Sequence, residues 1–273
     1  MPAPRERVRL RGQFVPESHD LSDRQRLNGV TLELGRRSVR GINGRRRVRL
    51  FVPNDVPPPY SVLYCWDGQN LFDDEGSHSG GWHLHRLLAR RAAAGKKTPL
   101  LVAIDHGGKD RIGDFAPWPH FEHGNGRADA MLELLLDRVM PVVEGRFEVV
   151  GRPGNIVCGS SMGGLLSLYA WLRFPGVFGR ALVMSPSLWF DPRALLTLIS
   201  RSTPLRDARI YLDMGRKEGG VRGARLVRQV AEAIALRGLD HYRVKVRVDP
   251  EGEHKESDWE ARFPPALDFL LEE

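Results

Sequence analysis

Ser161 lies in "IVCGSSMGGLLSLYAW" (residues 156–171), where an apolar stretch meets small polar residues and then a pattern of helical period. Gly159-Ser160-Ser161-Met162-Gly163 fits G-x-S-x-G between a strand and a helix, the setting in which that spacing has a mechanism. The turn such a serine needs is tight and strained. Glycines two positions either side let strand and helix approach, and the hydroxyl is pushed out above the carboxyl edge of a sheet. The helix that follows points its unpaired amides at the same spot, and that of Met162 can hold a developing oxyanion. This is the chemistry of acyl transfer, and it requires a base and an acid that fixes the base's tautomer.

Around such a turn the chain order is serine, then Asp or Glu after a later strand, then His after the last strand. Of nine histidines only His241 and His254 follow Ser161. His241 opens the strand "HYRVKVRVD", whereas His254 lies in the polar loop "PEGEHKESDW", from which it can swing over the sheet edge; His254 is the expected base. The acid is Glu218, in the turn "RKEGG" after the strand "RIYLDMG", or Asp213, which lies within that strand and would point to a covered face. Glu218 is favoured and the choice stays open. A second oxyanion donor is expected after "SVLYCW", at Gly68 or Gln69, with Asp67 bracing the turn.

The loop from His106 to Asn125 is long for a compact domain, and such loops are often functional. Arg111, Trp118, His120, Phe121 and His123 could line a cleft there for an aromatic or anionic ester, joined by Trp82, or the loop is solvated with its aromatics packed on a neighbouring helix. His78, His83 and His85 lack an acidic partner at matching helical spacing, so no metal site is expected.

The elements that must position these groups alternate. A strand pair, "VTLEL" and "RRVRLFVP", ends at the breaker "NDVPPPY". Buried strands "SVLYCWDG", "PLLVAID", "NIVCG", "RALVMSP", "ARIYLDMG" and "HYRVKVRVD" then alternate with helices, one carrying Pro141 as a kink. That rhythm predicts an α/β fold: a mostly parallel central sheet with an antiparallel N-terminal hairpin and helices on both faces. One domain accounts for residues 28–273; residues 1–27 form an N-terminal extension with one candidate strand, "RVRLRGQFV".

With 273 residues, 41% of them hydrophobic, the chain can bury a core without staples, and its two cysteines, Cys65 and Cys158, fall in apolar strands rather than a disulfide framework. The first residues are charged and no run of about 18 apolar residues occurs, so neither a signal peptide nor a membrane span is expected and the cytoplasm is the expected location. The net charge is +7, but only six of 41 basic residues are lysine, which reads as codon bias rather than a designed patch. The densest cluster, "GRRSVRGINGRRRVRLFVP", alternates arginine with Val, Leu and Phe at strand period, which puts the charges on the solvated face of a hairpin; no nucleic-acid partner is expected. Homo-oligomerisation stays open.

"YCWDGQNLFDDEGS", "AIDHGGKDRIGDFAPW", "GNGRADAMLELLLDRVMPVVEGRF", "GSSMGGLLSLYAWLRFPGVFGRALVMSPSLWF", "YLDMGRKEGG" and "EGEHKESDWEARFPPALDFL" together resemble the putative-esterase family of α/β hydrolases, which includes esterase D and the feruloyl and enterochelin-type esterases. The resemblance spans residues 45–270. It implies an α/β-hydrolase fold and a serine hydrolase of small-molecule esters without metal or organic cofactor, with Ser161 as nucleophile, His254 as base and Glu218 at the acidic position. Where relatives read arginine, two residues, Glu-Tyr and then Pro-Trp, this chain has Arg111, Asp114, Phe115, Pro117 and Trp118, so a tyrosine hydroxyl is missing. An acyltransferase on the same residues, with an alcohol in place of water, and a non-catalytic binding module are the alternatives; an intact Ser161 and His254 argue against the module.

Overall fold

A computed structural model describes residues 29–75, 77 and 79–271. The N-terminal extension, its candidate strand and His78 lie outside the described residues. The elements in chain order are β1 (Gly29–Arg37), β2 (Arg46–Pro53), β3 (Val62–Trp66), α1 (Leu84–Ala93), β4 (Leu100–Ile104), α2 (Arg111–Phe115), α3 (Ala128–Glu133), α4 (Met140–Arg146), β5 (Ile156–Ser160), α5 (Met162–Arg173), β6 (Arg180–Met184), α6 (Pro192–Arg201), β7 (Arg209–Gly215), α7 (Arg216–Ala235), β8 (Val244–Asp249) and α8 (Glu256–Leu271).

The strands form one eight-stranded sheet in the order β1-β2-β4-β3-β5-β6-β7-β8. β1 pairs antiparallel with β2 and β2 with β4; the other pairings are parallel. β3, β4 and β5 are buried along their whole length, as expected of parallel strands covered on both faces. One face packs Leu84 and Leu88 of α1 and Trp259, Phe263 and Leu267 of α8; the other packs α3 to α7. α5 is apolar all round and lies under the middle of the sheet, which is where such a helix can be satisfied. α6 begins with Asp191 accepting the Ala194 amide (2.9 Å) and Pro192 at its first position. Between α3 and α4 the helix widens into a π turn over Leu134–Val139, immediately before Pro141, which lacks the N–H a regular ladder would use. No described helix is long and apolar enough to cross a membrane.

Two expectations are corrected. The hairpin arginines are not all on the solvated face: Arg46 is 3% exposed and Arg49 14%, because the carboxylates of Asp114 in α2 and of Asp105, just past β4, meet them there. Arg46 Nη2 donates to Asp114 Oδ2 (2.5 Å), and Arg49 Nη2 to Asp105 Oδ1 (3.1 Å) and the Gly68 carbonyl (2.7 Å). The segment from His106 to Asn125 is also no structureless loop. It contains α2 and a tight turn closed by the reciprocal bonds His120 N–H to Gly124 O (2.9 Å) and Gly124 N–H to His120 O (2.8 Å). Asp114, fully buried, binds Arg46 on one side and Arg127 Nε (2.8 Å) on the other, and so pins this segment to the start of β2.

Candidate active site

Ser161 follows the last residue of β5 with φ 56° and ψ −123°, a backbone region costly for any residue with a Cβ. The glycines around it are steric necessities. A Cβ on Gly159 would lie 2.6 Å from the Gly163 backbone, and one on Gly163 would lie 2.9 Å from Asp67 Oδ2. The turn is held by Ser161 N–H donating to Met184 O (3.0 Å) and by Ser187 N–H donating to Ser161 O (3.0 Å). Ser161 Oγ lies 3.4 Å from Ser187 Oγ. Met162 opens α5, so its amide is one of those a helix leaves without an intrahelical acceptor.

β3 is the neighbour of β5, and beyond its end Asp67 takes a left-handed conformation (φ 56°, ψ 44°) that starts a short 3-10 turn, Gly68–Asn70. Gly68 has no room for a side chain, since a Cβ would lie 2.6 Å from Asp105 Oδ1. Gln69 Oε1 accepts the His106 amide (3.0 Å), which fixes the turn to the end of β4. The amides of Gly68 and Gln69 thus start a turn beside the Ser161 elbow, with Asp67 in contact distance of Gly163.

The carboxylates divide cleanly. Glu218 lies in the first turn of α7 rather than in a loop, and its Oε2 contacts His254 Nδ1. Its Oε1 accepts the Gly215 amide and Ser185 Oγ–H (2.6 Å). Asp213, fully buried in β7, instead accepts Arg262 Nε (2.9 Å) and the Ser185 amide (2.9 Å). Burial pushes its carboxyl up to about 6, opposed by the Arg262 guanidinium and the Ser185 N–H. His254 therefore meets Glu218 and not Asp213.

β8 lies three strands from β5, on the order of 14 Å at about 4.8 Å per strand, so the loop after it must double back. It does so through glycines. Lys217 N–H donates to Gly252 O (3.0 Å), and a Cβ on Gly215 would lie 2.3 Å from that same oxygen. His254 is thereby carried over the end of β7, with its ring edge-on to Trp259 (4.9 Å, 83°) and its side chain 46% exposed. Among the described residues no hydrogen bond joins His254 to Ser161. Such bonds tighten when substrate arrives and are often long without it.

Of the expected substrate-contact residues, His120 stacks with Phe121 (4.7 Å) and His123 (4.9 Å), whereas Trp82, Arg111 and Trp118 each pack on other partners. Trp82 is 2% exposed and packs on Trp259 (5.7 Å), behind His254 rather than in a cleft. Arg111 is engaged by Asp67 in a two-pronged pair, Nε to Oδ1 at 2.6 Å and Nη2 to Oδ2 at 2.8 Å, which braces the Gly68–Asn70 turn. Trp118 stands edge-on to Tyr169 of α5 (5.9 Å). His120 packs on Phe190 (4.8 Å), Phe121 (90% exposed) projects beside it, and Trp189 (58% exposed) projects from the loop that starts at Ser187. His120, Glu122 and His123 bring ligand atoms within 4.8 Å of one another. However, His120 Nδ1 accepts the Glu122 amide (3.2 Å), which occupies its lone pair and keeps the ring proton on Nε2.

Sequence reasoning missed Ser185, Trp259, Arg262 and Glu256. Glu256, 5% exposed, accepts from Asn70 Nδ2 (3.2 Å) and Ser79 Oγ, tying the loop of His254 to the turn of Gly68. One signal was readable: Trp259, Arg262, Phe263, Ala266, Leu267 and Leu270 share the buried stripe of α8, and an arginine in such a stripe demands a buried acid.

Residues 40–270 match the family model described as Putative esterase. Among curated proteins, the uncharacterized protein YbbA of Bacillus subtilis is 25% identical over 247 residues, 83% of this chain and 93% of that protein. The siderophore triacetylfusarinine C esterase of Aspergillus fumigatus is 30% identical over 146 residues, 50% of this chain; the chain spans about half of that relative's length (48%). Among solved structures, the enterobactin hydrolase IroE in complex with DFP superposes with a TM-score of 0.69 at 23% identity, covering 92% of this chain and 99% of that one. That likeness shows the α/β-hydrolase fold.

Proposed function

Since the chain belongs to the Putative esterase family and is an ester hydrolase, we propose that it works through an acyl-enzyme on Ser161. His254 takes the Ser161 proton through Nε2 as the oxygen attacks an ester carbonyl carbon. The amides of Met162 and of Gly68 or Gln69 hold the oxyanion, and His254 returns the proton to the leaving alcohol. Water, activated by the same imidazole, then frees the acid and restores the serine. Glu218 keeps the His254 proton on Nδ1 and stabilises the imidazolium.

The observation that carries this reading is the contact of His254 Nδ1 with Glu218 Oε2, on the sheet edge where Ser161 occupies its strained turn. The exposed rings of Trp189 and Phe121 on the Ser187 side favour esters that carry an aromatic group, and the siderophore ester cleaved by the fungal relative gives a class to test. Treatment with a fluorophosphonate should label Ser161, and Ser161→Ala should remove about a million-fold of kcat on p-nitrophenyl and catecholate esters. Activity of Ser161→Ala within tenfold of wild type overturns the proposal.

A further inference from the structure

Ser185 is the first residue past β6 and holds φ 41° while 1% exposed. Its hydroxyl has three partners: Trp259 Nε1 at 2.9 Å, Arg262 Nη2 at 2.9 Å and Glu218 Oε1 at 2.6 Å. An indole N–H and a guanidinium can only donate, and a hydroxyl has two lone pairs and one proton. Trp259 and Arg262 therefore take both lone pairs. The single proton has one place left to go, which is Glu218 Oε1.

We infer that Ser185 is a positioning residue, a hydroxyl whose forced direction fixes the Glu218 carboxylate and, through it, the tautomer of His254; the inference rests on the triad reading above. Oε1 receives two donors, Ser185 Oγ–H and the Gly215 amide. Rotating the carboxylate would strand both of them in a buried site, where each unmet donor is costly. Oε2 is thus held facing His254 Nδ1, which must bring its proton there, leaving Nε2 with a lone pair for the Ser161 proton.

The same geometry accounts for a fully buried carboxylate that the triad does not use. Asp213 accepts the Ser185 amide on Oδ1 and Arg262 Nε on Oδ2, each at 2.9 Å, so it holds both the backbone that carries the hydroxyl and the guanidinium that orients it. Trp259 serves twice, with its N–H on Ser185 and its ring against His254. Ser185, Asp213, Trp259 and Arg262 are all 5% exposed or less, so bulk solvent does not reach this network.

The test uses Ser185→Gly, because glycine takes φ 41° without strain and removes the hydroxymethyl group that carries the donor. In this variant kcat on p-nitrophenyl acetate should fall about 10–100-fold, with KM within about twofold, as for other losses of a group that orients a catalytic ligand. In ¹⁵N-histidine spectra His254 should change from a single Nδ1–H tautomer to a mixture, which a merely structural role would not produce. Trp259→Phe removes one orienting donor and keeps a ring, so it should move both readouts the same way by less. Unchanged kcat and tautomer in Ser185→Gly, or a kcat that falls only with the folded fraction in thermal melts, overturns the inference. Fluorophosphonate labelling of the wild-type protein separates the two levels. No reaction at Ser161 defeats the triad reading, whereas normal labelling with an unaffected Ser185→Gly defeats this inference alone.

Discussion

Replacing Glu218 by glutamine changes one atom and should nearly abolish turnover. The side chain is 3% exposed, and its Oε1 is fixed by two donors, Ser185 Oγ–H and the Gly215 amide. The amide oxygen of glutamine must stay there, because an NH₂ group in that position would face both donors. The NH₂ therefore takes the Oε2 position and donates toward His254 Nδ1, which now has to accept. His254 is driven into the tautomer with its proton on Nε2, where it cannot receive the proton of Ser161. A wrong-tautomer trap of this kind costs about 10⁴ in kcat, or about 5 kcal/mol of transition-state stabilisation at 1.36 kcal/mol per factor of ten. Shape is conserved and Asp213 still pairs with Arg262, so Glu218→Gln should fold as wild type. The assay is kcat on p-nitrophenyl acetate at neutral pH, with melting temperature as the control. A folded Glu218→Gln protein retaining kcat within tenfold of wild type would refute the reasoning, and with it the claim that this carboxylate sets the imidazole's tautomer.

Two further outcomes concern stability. Asp114→Asn removes the only negative charge in contact with Arg46 among the described residues, and Arg46 is 3% exposed; an uncompensated buried charge costs about 3–5 kcal/mol, which should lower Tm by about 6–20 °C in calorimetry. A change under about 2 °C would mean Arg46 finds water or another acceptor. His85 stacks on Phe72 (5.5 Å), and burial pushes its pKa down to about 4 from the ordinary 6.5, against the pull of Asp73. Between those values the unfolded chain binds more protons than the folded one, so stability should fall as pH drops from 6.5 toward 4, by up to about 3 kcal/mol. His85→Phe keeps the stack and should flatten that slope in urea melts; an unaltered slope contradicts the burial argument.

The strand–turn–helix at Ser161 is legible in the sequence because its determinants are local. Gly159, Ser161 and Gly163 collide or fit within five residues of one another. The parallel sheet is legible for a similar reason: short apolar runs separated by helices leave only crossover connections between buried strands. Period-two alternation also revealed the hairpin, β1 with β2, yet it misjudged Arg46, whose partner Asp114 lies 68 positions away in a segment that reads as loop. Trp82 failed likewise. An aromatic near the site reads the same whether it faces a cleft or packs behind His254 on Trp259.

Residue types and spacing by themselves determined the layered fold and the strand–turn–helix at Ser161, and they singled out Ser161 and His254 as candidates. Only the tertiary structure decided which carboxylate meets His254, because Asp213 inside β7 and Glu218 in the first turn of α7 are five residues apart and differ in which neighbours cross above them. That depends on Gly252 lying against Gly215. It depends equally on Arg262, brought from 49 and 77 positions away to claim Asp213 and Ser185. Helical and strand periods encode which face a residue takes, but not which distant face it will meet; that pairing is fixed only when the strands take their places in the sheet.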